Sequence, residues 1–229
     1  MIVLAAATLG LVAGALLPRL IALIPDRPPE PGEPARTPYR TLAGGSQARV
    51  VLAVVTAAAW ALLAAARGLS ADLPAFLLVA TLGAAMAYVD VAEHRLPDWL
   101  TYPAFAGAAG LLAVAAASTG WTGYGRAWLG ALAMTAGFLV LALLRPGELG
   151  LGDVKLAASL GLLLGWIGWG QVLLGAFAAF LLGGLYSVGL LLTGRANRRS
   201  QIPFGPFMLA GALITVVWGA PVLDAYLGH

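Results

Sequence analysis

The sequence predicts an all-α membrane protein, a polytopic bundle of about eight transmembrane helices. Three observations predict it. The chain of 229 residues is 61% hydrophobic and only 10% charged, whereas a soluble domain carries about 25% charged residues; lipid must therefore cover most of its surface. Apolar runs near the roughly 20 residues that a spanning helix needs recur along the chain, and short joints between them hold most of the charge. The arginines and lysine concentrate in alternate joints, which gives the runs a consistent sidedness.

Taken in order, residues 2–24 form the first run. No basic segment precedes it, so it is expected to be a retained helix and not a cleaved signal, with Arg19 reaching toward the nearer interface. Residues 25–47 are rich in Pro, Gly, Arg and Glu and lack apolar periodicity, which predicts a flexible loop. Spans follow at 50–66 and 73–89, joined by the polar residues 67–72. Residues 90–101 interrupt the apolar pattern. Residues 102–117 span again, 118–126 form a turn whose Trp121 and Tyr124 suit an interface, and 127–144 span back. After 145–152, a sixth span starts at 153–167, a seventh occupies 171–193, and a basic loop at 194–203 leads to an eighth at 204–223. The expected division is a first helix with its Pro-rich loop, 1–49, and a membrane domain, 50–229.

Charge placement orients the bundle. With eight spans and the N-terminus outside, the inner joints hold Arg27, Arg36, Arg40, Arg49, Arg95, Arg145, Lys155, Arg195, Arg198 and Arg199, and the outer joints hold Arg67 and Arg126. That asymmetry follows the positive-inside rule. Merging the sixth and seventh spans would place Arg195, Arg198 and Arg199 outside. The net charge of +3 is modest and implies no nucleic-acid partner; the bilayer is the expected surround. The chain has no cysteine and two histidines, one of them His229. It therefore offers no disulfide framework, thiolate metal site or cysteine nucleophile, and neither a metal nor a cofactor is expected. With His94 the only internal histidine and no Gly-x-Ser-x-Gly stretch, no Ser/His/Asp set competes for catalysis.

The acids carry the remaining chemistry. Asp153 stands where an apolar run begins, flanked by Gly150 and Gly152, and an ionisable group at a membrane segment is a functional candidate by default. Counting crossings places Asp90 and Asp153 at helix ends on one side of the bilayer. Two carboxyls that approach closely cannot both ionise easily; the pair can then act on one water as base and acid. The alternative for Asp153 is a helix cap at the positive end of a dipole. Asp98, after Pro97 and before a span, suits an N-cap or loop stabiliser. Glu93 and Glu148 suit solvated loop positions, His94 an interfacial loop, and Lys155 an ion pair with a carboxylate or a lipid phosphate.

Three stretches together resemble a known family. Tyr88-Val89-Asp90, followed by Pro97-Asp98 and Thr101-Tyr102-Pro103, resembles the first aspartate motif of type IV prepilin leader peptidases. Gly150-Leu151-Gly152-Asp153-Val154-Lys155 is similar to their second motif, shared with the wider Gly-x-Gly-Asp intramembrane aspartyl proteases. Pro203-Phe204-Gly205-Pro206 resembles their C-terminal element. The resemblance covers about residues 50–223. It implies a bacterial inner-membrane endopeptidase of about eight helices that removes the basic leader of prepilins or pseudopilins at the cytoplasmic face. Asp90 and Asp153 would be the catalytic pair, and Pro203 to Pro206 would line the site. The loop at 25–47 is shorter than in many members and lacks their cysteine motifs, which argues against N-methyl transfer and leaves the aspartate pair untouched. The alternatives are a Gly-x-Gly-Asp protease acting on other signal peptides and a proton-coupled transporter. The sequence does not choose among type IV pilin, type II pseudopilin and Flp-like pilin substrates, nor does it set an oligomeric state.

Overall fold

A computed structural model describes residues 1–26, 36–144, 149–194 and 202–227. Its elements are α1 (Ile2–Ala22), α2 (Tyr39–Ala43), α3 (Ser46–Arg67), α4 (Leu73–Glu93), α5 (Asp98–Thr119), α6 (Thr122–Leu144), α7 (Leu151–Ile167), α8 (Trp169–Leu192) and α9 (Gly205–Leu227). The described residues form helices and turns without strands, as lipid demands of a chain that must satisfy its own backbone.

Three close helix pairs build the bundle: α1 along α3, α6 along α7, and α8 along α9. Each pair crosses where a glycine lets two backbones meet, the packing that replaces hydrophobic drive inside lipid. A Cβ on Gly14 would lie 2.4 Å from the Leu52 carbonyl oxygen, one on Gly161 2.5 Å from that of Gly130, and one on Gly211 2.7 Å from the Ala179 nitrogen. Helices α4 and α7 occupy the middle. Ala75, Ala85, Met86 and Val89 of α4, and Leu156, Ala157 and Leu162 of α7, have no exposed surface.

Several boundaries differ from expectation. Seven helices among the described residues are long and apolar enough to cross a membrane, and α7 is not one of them. Its 17 residues reach about 25 Å at 1.5 Å per residue, and protein encloses it, so its surroundings do not demand a full lipid-spanning length. Gly168, in extended backbone, separates α7 from α8, so the sixth and seventh runs are distinct helices. The stretch expected to be a flexible loop at 25–47 is helical over Tyr39–Ala43 and again from Ser46; residues 27–35 lie outside the described part. Tyr39 and Ala43 are buried, which explains a helix where local composition argued against one. Residues 90–93 belong to α4, and Arg126 lies in the first turns of α6 instead of a turn before it. Arg27, Arg145, Arg195, Arg198, Arg199 and Glu148 fall outside the described residues.

At the end of α7 away from Asp153, two charged groups act as anchors. Arg126 donates to the carbonyls of Gly165, Trp166 and Ile167 at 2.8, 2.5 and 3.0 Å, satisfying the free acceptors at a helix C-terminus with a cation that its dipole favours. Asp72, 3% exposed, accepts the Trp166 indole N–H at 2.7 Å and pairs with Arg67 and Ser70.

Candidate active site

The two aspartates reach the same end of the bundle from different elements. Asp90 sits in the last turn of α4, where the helix closes on His94 in left-handed backbone, φ 52° and ψ 43°. Asp153 sits in the first turn of α7. Both are buried, with relative exposures of 4% and 8%. Such burial is expensive for a charge that nothing compensates.

Each carboxylate is held by one backbone N–H at a helix start. The Gly205 N–H donates to Asp90 Oδ2 at 3.0 Å, and the Gly150 N–H donates to Asp153 Oδ2 at 3.0 Å. Each acid thus faces the positive end of a helix dipole, that of α9 for Asp90 and its own α7 for Asp153. The capping geometry expected as the alternative role of Asp153 is present.

Leu96, in the connection from α4 to α5, lies between the two acid neighbourhoods. A Cβ on Gly152 would come within 2.9 Å of Leu96 Cβ; one on Gly205 would come within 2.9 Å of Asp90 Oδ2 and 3.3 Å of Leu96 Cδ2. The glycines of both motifs therefore make room for Leu96 and for the carboxylate. Nothing in the apolar pattern singled out Leu96; its one sequence signal is its place next to the Pro97-Asp98 turn.

The supporting residues divide. Lys155 does not pair with Asp153. It donates to Asp98 Oδ1 at 2.5 Å and lies 5.2 Å from the Tyr102 ring centroid, joining α5 to α7. Asp98 is the first residue of α5, and Pro97 takes the N-cap position without a capping side chain; of the two roles expected for Asp98, N-cap or loop stabiliser, it does not take the N-cap position and instead ties the start of α5 to Lys155. Pro203 precedes α9, while Gly205 and Pro206 begin it. Phe204 stacks into an aromatic cluster with Phe138 and Phe180.

The segment around α2 is strapped to the same end. Glu93 accepts the Thr37 N–H at 3.3 Å, Asp26 accepts the Tyr39 N–H at 2.9 Å, and the Tyr88 hydroxyl donates to the Leu42 carbonyl at 3.2 Å. The Arg95 guanidinium lies 4.7 Å from the Tyr39 ring centroid. Burial pushes the Tyr39 phenol above its usual range, and the nearby Arg95 charge opposes that rise. Glu93, expected to be a solvated loop acid, is half-buried and bonded.

Comparison with known proteins gives a consistent picture. The profile of the type IV leader peptidase family matches residues 76–188, which include both aspartates. A prepilin leader peptidase/N-methyltransferase of Aeromonas salmonicida (strain A449) is 32% identical over 186 residues, covering 78% of this chain and 57% of the relative. A protein of the same description from Burkholderia pseudomallei (strain K96243) is 35% identical over 197 residues, 82% of this chain and 56% of the relative. Another from Bacillus subtilis (strain 168) is 34% identical over 103 residues, 44% of this chain and 40% of the relative. The chain spans little more than half the length of the first two relatives. No solved structure matches it significantly.

Proposed function

Residues 76–188 belong to the type IV leader peptidase family, and from that premise we propose that this protein is a membrane aspartyl endopeptidase that removes the leader of prepilin-like precursors. Residues 50–229 carry the chemistry, with Asp90 and Asp153 as the catalytic pair. One observation supports the assignment above the others: two buried carboxylates, each on a single backbone N–H, sit beside the motif glycines Gly152 and Gly205 that both pack against Leu96.

The reaction follows from a shared proton. The ionised aspartate takes a proton from water, whose oxygen attacks the scissile carbonyl carbon. The protonated aspartate donates to the carbonyl oxygen. Collapse of the tetrahedral species breaks the C–N bond, and a proton passes to the leaving amine. The backbone donors at Gly150 and Gly205 orient both carboxyls without side chains that would crowd the peptide. The protein is assigned to the bacterial inner membrane with this end at the cytoplasmic face, following the charge asymmetry of its joints.

The test is incubation of the purified protein in lipid with a prepilin from the same genome, read by mass. Cleavage at the leader junction is expected, and any added methyl group appears in the same spectrum. Asp90→Asn and Asp153→Asn are each expected to lose activity by about 10²- to 10⁴-fold or more, while the protein still inserts. Wild-type cleavage rates in either variant would remove that residue from the pair.

A further inference from the structure

We propose that residues 37–43, between α1 and α3, position Asp90 for the reaction by holding the last turn of α4 through Tyr88, Glu93 and Arg95. The inference rests on the peptidase reading and makes these three its positioning residues.

The two acids are not held alike. Asp153 starts α7, where the dipole of its own helix favours a carboxylate. Its donor, Gly150, is three residues away in the same turn, and Arg126 anchors the far end of the helix. Asp90 lies in the last turn of α4, at the negative end of its own dipole and where helices fray. Its carbonyl accepts the closing bond, from the His94 N–H at 2.8 Å. His94 holds a left-handed conformation that residues with a Cβ rarely adopt. Helix α4 by itself therefore fixes Asp90 less firmly than α7 fixes Asp153.

The support comes from two neighbours. Gly205 of α9 holds the carboxylate itself. Residues 37–43 hold the backbone on either side of it. Tyr88, two positions before Asp90, donates to the Leu42 carbonyl; Glu93, three positions after, accepts the Thr37 N–H; Arg95, five positions after, lies against the Tyr39 ring. The segment has its own footing in the bundle. Tyr39 and Ala43 are buried, Asp26 accepts the Tyr39 N–H, and α2 packs beside α1. It can thus fix the turn relative to the rest of the protein. Two carboxyls acting on one water need close registry, since a misplacement of about 1 Å can cost 10²-fold in rate. Loosening the turn would slow the chemical step and leave peptide binding intact.

Steady-state cleavage by Tyr88→Phe, which removes a hydroxyl, and Glu93→Ala, which removes an acceptor, tests this. Each should lower kcat about tenfold with KM within about twofold of wild type. Glu93→Gln, whose amide oxygen still accepts an N–H, should recover most of its loss. An unchanged kcat in both single variants, or a rise in KM alone, would overturn the proposal. A second readout separates local positioning from general damage. In the cysteine-free chain, Asp90→Cys and Asp153→Cys are each labelled with a small thiol reagent, with and without Tyr88→Phe. Labelling at 90 should quicken several-fold while that at 153 stays the same. Equal changes at both positions, or none at 90, would also overturn it. Labelling needs no cleavage, so a wild type that cuts no precursor would remove the peptidase reading, and the thiol rates would still decide whether the segment holds Asp90.

Discussion

At the scale of single residues, the site is built from groups that lack side chains as much as from those that have them. Gly205 is the clearest case. A methyl there would press on Asp90 Oδ2 at 2.9 Å and on Leu96, so Gly205→Ala is expected to cut kcat by at least tenfold while thermal stability in detergent changes little. Lys155 and Asp98 lie farther out, with about a third of each side chain exposed. A pair in that setting contributes about 0–1 kcal/mol. Lys155→Met and Asp98→Asn should each reduce cleavage modestly, and the double variant should be no worse than the poorer single one. Additive losses in that cycle would mean that the two residues act separately.

At the scale of elements, α7 carries the argument because it holds Asp153 at one end and is anchored at the other. Arg126→Ala would strip three carbonyls of their donor, at a cost of about 1–3 kcal/mol for each group left buried and unsatisfied. A lowered thermal midpoint is expected, with partial recovery in Arg126→Lys. The face of α7 against α6 is equally constrained. A side chain at Gly161 meets the Gly130 carbonyl at 2.5 Å and Ala131 Cα at 2.9 Å, so Gly161→Ala should destabilise by about 1–3 kcal/mol, as overpacking typically does. Gly110→Ala, facing open space, should be neutral or better. Thermal unfolding of the two variants side by side checks the contrast.

At the scale of the whole molecule, the assignment requires both acids on the inner side of the membrane. The chain contains no cysteine, so single cysteines report sidedness directly. Leu69→Cys and Trp121→Cys, at the end holding Arg67 and Arg126, should react with an impermeant thiol reagent in intact cells. Arg40→Cys and Trp99→Cys, at the aspartate end, should react only after the membrane is opened. All four positions are exposed in the fold. The reverse pattern would put the acids outside and remove the cytoplasmic assignment.

The sequence by itself determined the helical class and the approximate position of every long helix. In lipid a backbone must satisfy itself locally, so apolar run length translates almost directly into structure. It also marked Asp90, Asp153 and their glycines, because polar groups in such runs stand out against a uniform background. The tertiary structure decided what those residues touch. Lys155 meets Asp98, Gly205 meets Asp90 and Trp166 meets Asp72 across 57, 115 and 94 positions of chain, separations at which no local pattern specifies a partner. It likewise decided that α7 is short and enclosed, that a helix forms within the Pro-rich segment, and that Leu96 sits between Gly152 and Gly205. Those outcomes depend on which surfaces are covered by protein rather than lipid, a property of the packed bundle and not of any one stretch.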